Sequence, residues 1–133
     1  FSANPSLYAG YTGGAFEIYN LPNPFNLKTK TITLSSDGSG AFGGSSVDVR
    51  GTLIKYHLPT AKTGRLKLLI YNIAGELVRD LDEGSRTGGY IYYTQWDGKN
   101  SSGSDCASGV YFLLAQMDGK KIGNKAHKLA LVK

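Results

Sequence analysis

RLKLLIYNIAGELVRDL, residues 65–81, carries the strongest structural signal in the chain. Leu66, Leu68 and Ile70 fall on one face of an extended segment and Lys67, Leu69 and Tyr71 on the other, the two-residue period of a strand. Ala74-Gly75 makes a turn, with Gly75 supplying the positive φ it needs, and ELVRDL at 76–81 returns. Downstream, EGSRTGG at 83–89 reads as a loop. YIYYTQW at 90–96 alternates, with Tyr90, Tyr92, Thr94 and Trp96 sharing a side. WDGKNSSGSD then reads as a long Asx- and Gly-rich turn. VYFLLAQM at 110–117 and a last strand near 121–132 flank Asp118-Gly119, the dipeptide of a type I′ hairpin turn. Upstream, VDVRGTLIKYHL at 47–58 reads as one strand with Gly51 as a bulge, stopped by Pro59. AFEIYN at 15–20 and Thr31–Leu34 are shorter strand candidates. Between them lies LPNPFN, whose Pro22 and Pro24 deny ladder donors and mark an edge or a crossing connection.

About seven strands at this spacing, with no helical period, predict an all-β, Ig-like antiparallel β-sandwich, in which two half-buried sheets cover each other. Composition agrees: 18 Gly and 9 Tyr against a single Met suit a turn-rich β protein. At 133 residues the chain is one domain, large enough for a core without staples. Residues 1–15, uncharged and rich in small residues, read as a linker or extended lead-in. Residues 16–133 form the sandwich, with a Gly/Ser-rich insertion at 35–46. The expected core is Leu68, Ile70, Trp96, Val110, Phe112 and Leu114. The chain begins at Phe1 without Met or a leader, as a piece of something longer would.

The net charge of +5 is concentrated: the ten Lys/Arg and ten Asp/Glu of residues 1–119 cancel, and the excess is Lys120, Lys121, Lys125, Lys128 and Lys133. Such Lys solvate and guard an edge strand, which is favoured over nucleic-acid binding. No run approaches the ~18 apolar residues of a membrane span.

Catalytic chemistry finds little support. GSGAFG at 38–43 matches a dinucleotide-binding pattern literally, but the alternating GSSVDV that follows is no helix to hold a phosphate. His57 and His127 are the only imidazoles, and nothing in the sequence places a carboxylate beside either. Cys106, the single Cys, reads as a small apolar plug, so no disulfide or multi-Cys metal site forms. Asp97, Asn100 and Asp105 put three oxygens in one loop, but without the spacing of a calcium loop they read as Asx-turn caps. No cofactor and no metal are expected. Tyr93, pointing away from Tyr92 and Trp96, is the candidate exposed aromatic for stacking on a sugar ring.

The ordered blocks LPNPFN (21–26), YHLP (56–59), LKLLIYNIAGELVRDL (66–81), WDGKNSSG (96–103), ASGVYFLLAQ (107–116) and KLALVK (128–133) resemble the Ig-like C-terminal domains of secreted bacterial proteins. These include type IX secretion C-terminal sorting domains and the Ig-like domain of flagellar hook-capping proteins. The insertion at 35–51 departs from the usual short connection, and the WDGKNSSG loop looks more like the hook-capping version. The resemblance implies a non-catalytic module, exported through the periplasm to the cell surface or beyond, whose partner is secretion or surface-attachment machinery. The motif positions it implies are Pro22, Asn23, Pro24, Phe25, Gly75, Ser108, Gly109, Val110, Tyr111 and the tail from Lys128 to Lys133. Two alternatives stand beside it: a carbohydrate-binding module using Tyr93, and a structural subunit of an extracellular assembly. For residues 1–15, docking on their own sandwich or disorder is favoured, and self-association by adding a strand to a neighbour is the alternative.

Overall fold

The computed structural model describes residues 10–21, 23–33 and 46–133. Nine strands occur among them: β1 (Glu17–Leu21), β2 (Thr29–Thr33), β3 (Ser46–Arg50), β4 (Thr52–Leu58), β5 (Gly64–Tyr71), β6 (Leu77–Arg86), β7 (Tyr90–Trp96), β8 (Gly109–Met117) and β9 (Lys120–Leu131). Seven of them build the sandwich, as a three-stranded sheet β1-β4-β7 and a four-stranded sheet β6-β5-β8-β9, with β2 and β3 as a separate pair. All strand pairings are antiparallel. The expected all-β sandwich is therefore present. No described helix is long and apolar enough to cross a membrane. GSGAFG and most of the insertion lie outside the described residues.

The core lies between the two sheets. Ile54, Tyr56 and Leu58 of β4 with Tyr92 and Trp96 of β7 meet Leu66, Leu68 and Ile70 of β5 and Tyr111, Leu113, Ala115 and Met117 of β8. Trp96, Leu68 and Ile70 are fully buried, as expected. For β8 the expectation has the wrong parity. Val110 is 40% exposed and Phe112 and Leu114 are half-buried, while Tyr111 and Leu113 face the core. VYFLLAQM is apolar on both faces, so the period alone cannot choose between them. The choice is made by pairing: Leu68 stands opposite Ala115 and Ile70 opposite Leu113.

Two segment boundaries also differ. Residues 47–58 are not one bulged strand, because the chain passes from the β2–β3 pair into the β4 sheet at Gly51. Gly51 has φ 94°, and a Cβ there would run into the Trp96 carbonyl, so only glycine fits the crossing. Residues 83–86 are strand rather than loop: Gly64, Arg65 and Leu66 pair with Arg86, Ser85 and Gly84, beyond a register shift at Leu66/Lys67. The Asp118-Gly119 turn has φ of 52° and 83°, both positive as a type I′ turn requires. Gly10 bridges Tyr90, and the Tyr11 N–H donates to the Gly89 carbonyl at 2.7 Å, so this part of the lead-in lies along β7 of its own chain.

Candidate recognition edge at the terminal strand

β9 is an edge strand, and its last turn of sequence is held by two segments distant in the chain. From one side comes Asn23-Pro24-Phe25. The Asn23 carboxamide accepts the Ala130 N–H at 3.0 Å and donates to the Lys128 carbonyl at 3.1 Å. A side chain thus performs the donor and acceptor work of a peptide unit, next to a proline that has no N–H to give. Two residues on, the Phe25 N–H donates to the Ala130 carbonyl and the Val132 N–H to the Phe25 carbonyl, each at 2.8 Å, forming a parallel bridge to Leu131. The Phe25 ring is 2% exposed and meets Trp96 edge-on at 5.6 Å, and Trp96 meets Tyr111 in the same way at 5.5 Å. This short segment is therefore anchored in the core by one aromatic ring and stitched to the edge by four hydrogen bonds.

From the other side, Gly109, Val110 and Tyr111 stand opposite Leu131, Ala130 and Leu129. The Ser108 hydroxyl oxygen accepts the Lys133 N–H at 3.0 Å. Tyr111 is buried, and its hydroxyl donates to the Ala107 carbonyl at 2.6 Å. Burial raises the Tyr111 phenol, and the neighbouring Cys106 raises it further. The Cys106 thiol, 6% exposed, is itself raised by burial, which makes it the inert plug its position suggested.

The motif positions Asn23, Pro24, Phe25, Ser108, Gly109, Val110, Tyr111 and Lys128–Lys133 thus converge on one edge. Gly75 stands apart. It closes the β5–β6 turn at φ 83°, where Asn72 Oδ1 accepts the N–H groups of Ala74 and Glu76. Pro22 lies outside the described residues. Lys28, Lys128 and Lys133 are exposed. Pro24, Phe25, Asn26, Lys28, Val132 and Lys133 line an open cleft of about 370 Å³ beside the strand end. With its backbone groups taken up by Asn23 and Phe25, this edge presents a partner with an apolar rim and ammonium charge.

Elsewhere three expectations need correction or completion. Tyr93 is 2% exposed, so it presents no face to a sugar ring. On the same outer face of β4 and β7, Leu53 and Ile91 are buried too, while Gln95 is exposed. His57 does have a carboxylate beside it, Glu17 Oε2 at 3.1 Å from Nδ1, because the β1–β4 register sets Glu17 opposite His57. The same oxygen accepts from the Tyr19 hydroxyl at 3.1 Å, and Tyr11 and Tyr19 meet the imidazole edge-on. His127 lies 2.6 Å through Nε2 from Asn20 Oδ1, whose amide nitrogen donates to Thr52 Oγ1, and burial lowers its pKa. In the 96–105 loop, Asn100 Oδ1 accepts from the N–H groups of Ser102 and Ser104, Asp97 pairs with Arg79 at 3.0 Å, and Asp105 faces Arg50 and Lys99. These oxygens serve turn capping and ion pairing.

A buried polar network escaped the sequence reading. Glu83 Oε1 accepts from the Tyr56 hydroxyl at 2.8 Å, Arg86 Nε donates to that hydroxyl at 3.0 Å, and the guanidinium lies over the Tyr92 ring. The only local hint was a Glu and an Arg three residues apart in a segment that looked like loop.

Comparison with known proteins adds a family. A model described as the FlgD Ig-like domain matches residues 36–120. No curated protein matches the chain significantly. Among solved structures, FlgD from P. aeruginosa is similar at 20% identity and TM-score 0.48, covering 86% of this chain and 73% of that one. PorZ, described as a surface component of the type IX secretion system of Porphyromonas gingivalis, is similar at 16% identity and TM-score 0.44, covering 87% of this chain but 11% of that one. A truncated FlgD from Helicobacter pylori is similar at 14% identity and TM-score 0.37, covering 98% and 77%.

Proposed function

This chain belongs to the FlgD Ig-like domain family, and from that premise we propose that it is a non-catalytic module of a secreted or cell-surface bacterial protein, acting in sorting or surface attachment. The domain proper spans residues 16–133, with residues 1–15 as its lead-in, and export passes through the periplasm. One observation carries the reading: the segments 23–25 and 108–111 meet around the terminal strand, with Lys28 and Lys133 exposed at an open cleft and Lys128 exposed on the same strand. The buried members, Phe25 and Tyr111, hold the strand in place, and the ammonium groups and free rim face the export or attachment machinery.

The test separates holding from recognition. Lys28→Glu, Lys128→Glu and Lys133→Glu are exposed changes that leave the melting temperature nearly unmoved, yet together they are expected to trap the protein in the periplasm of a host that exports it. Normal surface delivery of a folded triple variant would sink the proposal. The carbohydrate-binding alternative loses its candidate platform with Tyr93 buried.

A further inference from the structure

The four-stranded sheet has an outer face, and its register can be read row by row across β6, β5, β8 and β9. One row is Leu77, Tyr71, Phe112, Lys128; the next holds Asp80, Leu69 and Leu114; the next is Asp82, Lys67, Gln116, Lys121. Val110 and Ala130 add a short row at one end. Leu77 is 50% and Val110 40% exposed, while Tyr71, Phe112 and Leu114 are half-exposed around a nearly buried Leu69. An apolar stripe thus runs along β5 and β8. The β6 margin carries carboxylates and the β9 margin ammonium groups.

We propose that this face is a self-association surface, occupied by a second copy of the chain related by a two-fold axis that runs parallel to the strands between β5 and β8. Charge and row complementarity on this face select that arrangement. An isologous contact must be its own complement. Rotation about that axis sets β5 against β8 of the second copy and β6 against β9. Leu69 then faces Leu114, Tyr71 faces Phe112, and Asp82 faces Lys121 of the other copy. Leu77 receives the aliphatic stem of Lys128, as amphipathic side chains allow. A two-fold axis across the strands would instead lay acid on acid and base on base, so the charge pattern selects the first arrangement. Asp80 and Asp82 already pair with Lys67 at 3.5 Å and Arg65 at 3.4 Å. Those exposed pairs are worth little and exchange readily.

The face is only four strands wide, about 15–20 Å, which places the contact among small, weak interfaces. Sedimentation velocity on the 133-residue chain is expected to show a monomer–dimer equilibrium with Kd between about 10 and 500 µM. Phe112→Ser, a half-exposed change, is expected to weaken it by about tenfold. Asp82→Lys and Lys121→Glu are expected to weaken it singly by at least about threefold and to restore it together. Asp82 also accepts the Gly84 N–H, so each variant is accompanied by its melting curve, and Phe112→Ser tests the face without touching that bond. A chain that stays monomeric to about 500 µM overturns the proposal, as does a dimer indifferent to Phe112→Ser. Association that disappears on removing residues 1–15 while surviving Phe112→Ser overturns it as well, in favour of strand addition by the lead-in.

Discussion

Asn23 and Phe25 illustrate how much a short segment can do. Asn23 replaces a peptide group on the edge of β9 through both ends of its carboxamide, on an exposed site where water competes. Asn23→Ala should therefore cost about 1–2 kcal/mol, the net worth of two modest hydrogen bonds. Phe25 is a full core member, and Phe25→Ala should cost about 3–5 kcal/mol through lost transfer and the cavity against Trp96. Urea denaturation of both variants checks the ranking. Equal costs would mean that the ring is not the anchor. Neither role was legible locally, because an Asn between two prolines looks like an ordinary turn residue until the strand it caps is known.

Strand β8 shows the same lesson over nine residues. Leu113 is fully buried and Leu114 half-exposed, although they are chemically identical neighbours. Leu113→Ala should cost about 2–5 kcal/mol and Leu114→Ala markedly less, since its site already meets water and leaves no closed cavity. Chemical denaturation of the two variants measures this directly, and a reversed order would refute the register between β5 and β8. At the β3–β4 junction, Gly51→Ala combines a positive φ with a collision against the Trp96 carbonyl. It should cost more than about 1 kcal/mol, the scale of a single strained backbone residue. Gly75→Ala, at a positive φ with open space around it, provides the milder control.

For the molecule as a whole, the buried Tyr56–Glu83–Arg86–Tyr92 network ties β6 to the opposite sheet and gives stability a pH dependence. Burial raises the Glu83 carboxyl above its ordinary value near 4.5, despite the Tyr56 hydrogen bond and Arg86 at 3.7 Å, which pull the other way. A raised folded value means that the native state holds the proton more tightly than the unfolded chain. The contribution is present below the ordinary value and is lost as pH rises through the folded one. Glu83→Gln keeps an acceptor for Tyr56 and cannot titrate. Its stability relative to the parent should therefore improve as pH rises from the ordinary carboxyl range toward neutrality, measured by urea midpoints across that range. A difference that is flat or falls with pH would contradict the assignment. His127 acts in the opposite sense. Burial lowers its pKa, so its contribution is present above the ordinary 6.5 and fades as pH falls through the folded value.

Local chemistry wrote much of this fold into the chain. The strand of 65–71, the Asp118-Gly119 turn, the stop at Pro59 and the Asx-capped loop after Trp96 each follow from side-chain period, φ preference or short-range hydrogen bonding. The blocks around LPNPFN, SGVY and the basic tail were equally visible as blocks. Their meeting place was not. Which face of an all-apolar strand turns inward depends on the strand laid beside it. Whether residues 83–86 extend β6 depends on Gly64–Leu66 being there to pair, and the burial of Tyr93 depends on what covers the outer face of its sheet. Those are contacts between residues far apart in sequence, where burial and register outweigh local preference, and they exist only once the two sheets have closed on each other.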